Sequence, residues 1–476
     1  MNTKFIWTDG KTDEASLTSI DPNFPVKYGR QKNDLKEVYI GRRVRSIEAD
    51  AFRMCKNLEH VHMSDSVEKI SPFAFAWCDR LEEMTFPEGL DTVSISVMTF
   101  CPALKTVTIP DSVTLIDDEA FSYCTELESV KMPASLDCIY VSAFMNCRSL
   151  KEITIPAAVT TIESNAFTNC ASLEKVVFEE GSNLREIGSA AFSNCPMLRA
   201  ENYDKLKNLK TISDRAFEGC SSLKEFDLPE SLTKLSKRAF SGCSSLTGTL
   251  KFPAGLKNIS DEAYMNCISI TSAEFTPKND YEIKDGLFYG CTSLETVKGL
   301  INVKSIGSRS FTGCSSLNEL ALGNSLTSIG DWAFKGCIKL DLTVPDSVTT
   351  VGTDAFAYMG SFTYNGSGET DDATHMYFAD PSESGRSFQK ADELRYAASD
   401  LLGYMQQIHN RNLLPDEMCG QYEAALLKYI RGDDNEYILA NTLNTFDDTY
   451  GTDDLPLSDE LENFRDRLYI FTKELV

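Results

Sequence analysis

Thirteen of the fifteen cysteines recur at one spacing, as Cys55, Cys78, Cys101, Cys124, Cys147, Cys170, Cys195, Cys220, Cys243, Cys267, Cys291, Cys314 and Cys337. Thiols ligate metals, form disulfides or act as nucleophiles, and each use has its own spacing. Steps of 23–25 residues give no Cys-x-x-Cys pair, and a fourteenth copy of the position holds Met359. A position that accepts Met wants a small or soft apolar filler. Stacked copies would stand about 5 Å apart, within disulfide range, but side chains in one column run parallel. The expectation is therefore a column of free, buried thiols without disulfide or metal, suited to a reducing or anaerobic setting. Cys138 and Cys419 lie off the column and take no role.

The four histidines are the other candidates. His60 and His62 flank Val61, so on a strand both face one side, with Tyr39 and Glu83 on adjoining coils. Imidazoles beside carboxylates can hold a metal or a small ligand; on a strand surface they more often just face water, and no metal is assigned. The chain has no His-Glu-x-x-His helix, no Gly-rich phosphate loop and no discernible nucleophile–base pair, so neither catalysis nor a cofactor is expected. Arg431-Gly432-Asp433 is a tripeptide that matrix proteins present to integrins, yet it follows the helix-like run LLKYI, where Gly serves as a C-cap. Asp447, Asp448, Asp453 and Asp454 lack the alternation of an EF-hand and read as a solvated acidic loop.

The elements that would position these residues follow from a repeat. The aromatic of each Ala-Phe-x-x-Cys-x-x-Leu unit, replaced by Met98 in the third, falls at Phe52, Phe75, Met98, Phe121, Phe144, Phe167, Phe192, Phe217, Phe240, Tyr264, Phe288, Phe311, Phe334 and Phe356. Eight of the thirteen steps are 23 residues, one is 22, two are 24 and two are 25. A period of this size means a solenoid. Residues 104–127 (LKTVTIPDSVTLIDDEAFSYCTEL) show the unit whole. Val107 and Ile109 face one side of a strand, and Pro110 ends it because proline cannot donate to the ladder. Phe121, Cys124 and Leu127, spaced by three, align on one side of a tight or short helical turn. One unit cannot bury its own apolar side, so copies stack and pair their strands in a parallel ladder at about 4.8 Å per coil.

The pattern Leu-x-x-Val-x-Ile-Pro-x-Ser-Val-x-x-Ile-x-x-x-Ala-Phe-x-x-Cys-x-x-Leu resembles the repeat of the BspA-type (Treponema-type) leucine-rich-repeat family over about residues 35–362. The resemblance implies an α/β repeat fold and a role in protein binding. Family members are found largely in host-associated bacteria and some parasitic protists. They are mostly surface proteins implicated in adhesion.

The expected organisation is an N-terminal cap over residues 1–34 and a leucine-rich-repeat solenoid of about fourteen 23-residue coils over 35–364. A linker over 365–385 and a small acidic helical bundle over 386–476 complete it. Helical periodicity is carried by Leu394, Leu401, Met405 and Ile408, then by Met418, Tyr422, Leu426 and Ile430, then by Leu461, Phe464, Leu468 and Phe471. The bundle serves either as a cap or dimerisation unit or as a separate recognition domain.

With 46 basic against 71 acidic side chains, the protein should be repelled by nucleic acid and anionic membranes, and a basic protein partner is favoured. No run of eighteen apolar residues predicts a membrane span, and the start (MNTKFIWTDG) shows no apolar leader. The expected location is therefore cytoplasmic, with the cell surface as the alternative if a leader has been removed. The outward strand positions form the expected recognition track: Glu37, Tyr39, His60, His62, Glu83, Thr85, Thr106, Thr108, Lys131, Glu152, Thr154 and Lys175. Such a face can hydrogen-bond a protein or stand as plain solvated sheet. The two long steps around residues 178–212 form either protruding loops or bulges. The sequence thus points to a non-catalytic protein-recognition scaffold. A cell-surface adhesin and an acidic intracellular inhibitor of a basic nucleic-acid-binding target are the alternatives.

Overall fold

A computed structural model describes residues 2–199, 203–276, 282–357, 359–364 and 425–426. The chain divides into two compact units, Met1–Met376 and Tyr377–Val476. In the second, only Ala425 and Leu426 are described, both helical and Leu426 buried. The expected linker (365–385), the rest of the expected helical bundle (386–476) and Arg431-Gly432-Asp433 lie outside the described residues.

Each coil of the first unit has three sides. The first is a short strand of the Leu-x-x-Val-x-Ile segment, paired in parallel with the same segment one coil on. Glu37 faces His60, Val38 faces Val61 and Tyr39 faces His62. Farther along, Thr106 lies between Glu83 and Ser129, and Glu152 faces Lys175. The alternation that the residues dictate is kept: Val107 and Ile109 are buried while Thr106 and Thr108 are exposed. The second side is a two-residue strand ending in the inward Ile or Val. Eight of these strands, from Thr92–Val93 to Asn258–Ile259, form one uninterrupted parallel ladder.

The third side carries the Ala-Phe-x-x-Cys segment, and here the α/β expectation is corrected. The described solenoid residues contain two 3-10 segments of three residues each, Tyr203–Lys205 and Leu300–Asn302, and no α-helix; the segment is a stack of turns. Its backbone is tied from coil to coil instead of within a helix. Glu119, Phe121 and Tyr123 donate their N–H groups to the carbonyls of Val141, Ala143 and Met145 at 2.8–2.9 Å. To aim N–H groups this way, the residues two before and two after each aromatic take a left-handed φ, for example 56° at Glu119 and 60° at Tyr123. A helix would spend those donors on its own carbonyls and leave the coils unlinked on this side.

The interior is a set of columns. The repeat aromatics stack ring on ring, with centroids 5.3 Å apart for Phe121–Phe144 and Phe144–Phe167 and 5.2 Å for Phe167–Phe192. All of the column cysteines are buried and free of disulfides, as the parallel arrangement demands.

At the N-terminal end, Thr3–Trp7 pairs antiparallel both with Thr12–Ala15 and with Leu35–Tyr39, closing the edge that the first coil would otherwise leave unpaired. Ser19–Ile20 already pairs in parallel with Ser46–Ile47, and the Phe24 ring lies 5.2 Å from Phe52. This segment therefore continues the second ladder and the ring column while reversing the strand direction on the first.

The first ladder lapses between His60–His62 and Glu83–Thr85, between Ser129–Lys131 and Glu152–Ile155 and between Glu319–Leu320 and Asp341–Val344, as well as near the long steps. Arg199 makes only an isolated bridge with Lys175, and no strand is formed over 221–228. The second long step turns its Tyr203 inward, where the ring packs 4.4 Å from Phe226 and 5.3 Å from Phe178. That side chain fills the core and does not line a protruding loop.

Candidate recognition surface

The first ladder, divided by its strand pairing into short successive sheets, presents the expected track on its outward side, since residues one apart from the inward Val and Ile must point away from the core. Glu37, Tyr39, His60, His62, Glu83, Thr85, Thr108, Lys131 and Thr154 all lie on its strands, and none is fully buried. The structure draws three of them into one group. His62 Nε2 lies 2.8 Å from Glu37 Oε1 on the neighbouring strand, and the Tyr39 ring stacks on the His62 ring at 4.2 Å and 15°. His60 stands beside them, its ring centroid 6.4 Å from that of His62.

Electrostatics follow this geometry. Burial raises the Glu37 carboxyl, but hydrogen bonds from Tyr39 and His62 outweigh it and hold the group below the usual carboxylate range. The same bond to Glu37, then burial, pushes the Tyr39 phenol up. The result is a preformed acceptor–ring–imidazole group at the start of the sheet face, able to hydrogen-bond and stack without first ordering its side chains.

The remaining track residues do not join it. Among the described residues no hydrogen bond or ion pair links Glu83 to His60, and no group of three or more His, Cys, Asp or Glu is arranged to hold a metal ion. Lys131 instead approaches Asp111 at 3.6 Å, and Lys175 reaches Glu152 at 4.0 Å. Thr85, Thr108 and Thr154 extend a mixed polar surface along the following coils.

The thiol column proves to be bonded as well as buried. Cys147 Sγ donates to the carbonyl of Phe121 at 3.2 Å and Cys170 to that of Phe144 at 3.2 Å; the same bond recurs from Cys78 onward to Cys337. A thiol is the smallest side chain that both fills the space and supplies a weak donor there. Burial pushes these thiols up, to about 12 at Cys55, Cys195 and Cys291, which keeps them protonated. They are structural groups.

The sequence reading missed a second feature, on the turn side. The position two after the column aromatic holds Met54, Trp77, Phe100 and Tyr123 in coils 1–4. Trp77 and Phe100 stack at 5.3 Å, Phe100 and Tyr123 at 4.4 Å, and the Arg53 guanidinium covers the outer face of Trp77 at 4.7 Å. Met54 is 50% exposed and Phe100 39%. The signal was present in the sequence as a column of large apolar residues beside the cysteines; it stayed unread because period and core spacing do not show which side of a turn a residue takes.

Stacked parallel coils with a hydrophobic spine and one exposed polar sheet face define a leucine-rich-repeat β-solenoid. The family model described as the BspA type leucine rich repeat region matches residues 29–151, 96–207, 137–271, 199–299 and 245–363, and the chain belongs to that family. Among solved structures it is similar to a leucine-rich repeat protein from Bacteroides ovatus. That pair shows 26% identity and a TM-score of 0.56, covering 74% of this chain and 88% of the other. A leucine rich cell surface protein from Faecalibacterium prausnitzii shows 24% identity and a TM-score of 0.41, over 77% of this chain and 94% of that one. No curated protein matches the sequence. Among the described residues, no helix is long and apolar enough to cross a membrane.

Proposed function

We propose that this protein is a non-catalytic scaffold that recognises a protein partner through the outer face of its first ladder. The observation that carries the reading is the Glu37–Tyr39–His62 group, which is fixed in place on a rigid parallel sheet and leads into an exposed polar track. Recognition favours side chains that are already ordered, because binding then costs less conformational entropy. Rings with polar tips, such as Tyr39 and the two imidazoles, supply contact area together with hydrogen bonding. Family membership supports the same reading.

The test is site-specific photo-crosslinking. A benzophenone amino acid replaces Tyr39, Thr108 or Thr154 on the sheet face, and Lys234 or Asn258 on the second ladder, away from its first coils, serves as the comparison. Adducts with one discrete protein, formed from the sheet-face positions and not from the comparison positions, are the expected result. The identity of the adduct separates the variants of the reading: a surface protein of a host or neighbouring cell makes the chain an adhesin, and a basic nucleic-acid-binding protein makes it an inhibitor. Adducts formed only from the second ladder overturn the assignment to the sheet face.

A further inference from the structure

A different surface combines exposed apolar side chains with carboxylates. On the outer side of the second ladder in coils 3–5, Leu115 lies between Thr92 and Cys138, and Cys138 pairs onward to Thr161. Leu115 and Cys138 are only half-buried, although most outward positions of this ladder are polar or charged. On the Cys138 coil Tyr140 and Val141 are 36% and 37% exposed, and Ile95, two coils before Val141, is 40% exposed. Single exposed apolar residues need no explanation, but a contiguous group rimmed by charge marks a contact surface.

The rim has one sign. Asp91 and Asp137 stand one residue before Thr92 and Cys138, and Asp117, Asp118 and Glu163 follow the inward residues of their own coils. Three of these carboxylates have local bonds: Asp117 Oδ1 accepts the Asp118 N–H at 2.9 Å, Asp118 Oδ1 accepts the Val141 N–H at 3.0 Å, and Asp137 Oδ1 accepts from Thr160 at 3.4 Å. Among the described residues, none of the five forms an ion pair. The other carboxylates of the first coils commonly do, as in Lys36–Glu59, Arg45–Glu68 and Lys105–Glu82. The rim is felt at the centre of the patch. Burial and then Glu163, Asp137 and Asp118 push the Cys138 thiol to about 12, and burial with Cys138, Asp117, Asp137 and Glu163 raises the Tyr140 phenol.

We propose that this patch docks a basic polypeptide segment whose apolar side chains are flanked by Lys or Arg. Apolar side chains of the segment cover Leu115, Cys138 and Tyr140, and its cations meet carboxylates that have no counter-ion of their own. A second copy of the chain is disfavoured by its net charge of −25, and anionic lipid or nucleic acid by the rim itself.

The test uses the full chain and fluorescence anisotropy with three labelled synthetic peptides: one alternating Lys with Leu, one alternating Lys with Ser, and one alternating Glu with Leu. The Lys–Leu peptide should bind about tenfold more tightly than either of the others. Asp91→Asn, Asp137→Asn and Glu163→Gln together should weaken it by about tenfold, and so should Tyr140→Ser with Val141→Ser. Neutralising three carboxylates elsewhere, by Glu225→Gln, Glu230→Gln and Glu319→Gln, should leave the affinity unchanged. The two patch variants are independent, and circular dichroism verifies the fold of each. Equal loss in the distant variant, or no loss in either patch variant, overturns the proposal. So does a concentration-dependent dimer, seen by sedimentation, that the patch variants abolish, because that result assigns the surface to a second copy.

Discussion

On the turn side, coils 1–4 and coils 5–13 share one backbone and differ consistently at one position. The position two after the column aromatic is Met54, Trp77, Phe100 and Tyr123 in the first group. In the second it is Asn146, Asn169, Asn194, Gly219, Gly242, Asn266, Gly290, Gly313 and Gly336. Its φ is left-handed in both, 58° at Trp77 and 61° at Asn169. Asn and Gly tolerate that conformation, whereas a bulky L-residue there costs about 1–2 kcal/mol. The fold is therefore satisfied by Asn or Gly, and the aromatics are an addition to it. Ring stacking, worth about 0.5–1.5 kcal/mol per pair, offsets the backbone cost. The comparison teaches that the repeat fixes where side chains stand, while local variation within it makes one stretch of the surface apolar.

If that comparison holds, both groups of coils depend on one shared interior, and the largest effect will come from that interior. The pKa values of about 12 at Cys55, Cys195 and Cys291 lie above those of the unfolded thiols, near 9. The unfolded chain therefore loses these protons first. The contribution is fully present below about pH 9, and stability falls as pH rises between about 9 and 12. Three thiols alone remove about 4 kcal/mol per pH unit. A pH series of urea unfolding curves measures this, and a flat profile up to pH 11 contradicts thiol burial. Native thiols should also resist alkylation.

Next in size are Phe121→Ala, in coil 4, and Phe240→Ala, in coil 9, one in each group. Each empties a fully buried ring site and costs about 3–5 kcal/mol. Comparable urea midpoints for the two variants are expected; a clear inequality breaks the idea of a uniform core. Cys147→Ala follows at about 1–3 kcal/mol, because it leaves a void and removes the donor to the Phe121 carbonyl.

The turn side itself supplies the finer tests. Phe100→Asn loses two ring contacts but gains a residue suited to the left-handed backbone, so the net change is a destabilisation of at most about 2 kcal/mol. A loss as large as that of Phe121→Ala shows that the rings belong to the core. Ala190, at φ 53°, has no stacking to offset its strain, so Ala190→Gly should stabilise by about 0.5–1 kcal/mol in thermal unfolding.

Much of the fold was legible because the inward residues recur at a fixed step. Val107, Ile109, Phe121, Cys124 and Leu127 mark buried positions directly, and the same spacing gave the coil number and the thiol column. The spacing around Phe121 left a tight turn and a short helical turn both open, because a spacing of three is shared by a short helix and a stacked turn. Spacing carries no information on the sign of φ. The sheet-face residues were placed on the correct side by alternation, yet alternation could not show that Glu37 joins His62 while Glu83 stays apart. Tyr203 lay in a stretch without the repeat pattern, so nothing in the sequence turned it inward.

By itself, then, the sequence determined a translational stack, its period and which side chains face the core, since burial of apolar surface needs only the right residue at the right interval. Tertiary structure decided what touches what between coils: the backbone bonds of the turn side, the ring ribbon from Trp77 to Tyr123, the thiol–carbonyl bonds and the Glu37–Tyr39–His62 group. Such contacts join residues about 23 positions apart, and their formation depends on backbone sign and side-chain direction, which exist only once neighbouring coils have stacked.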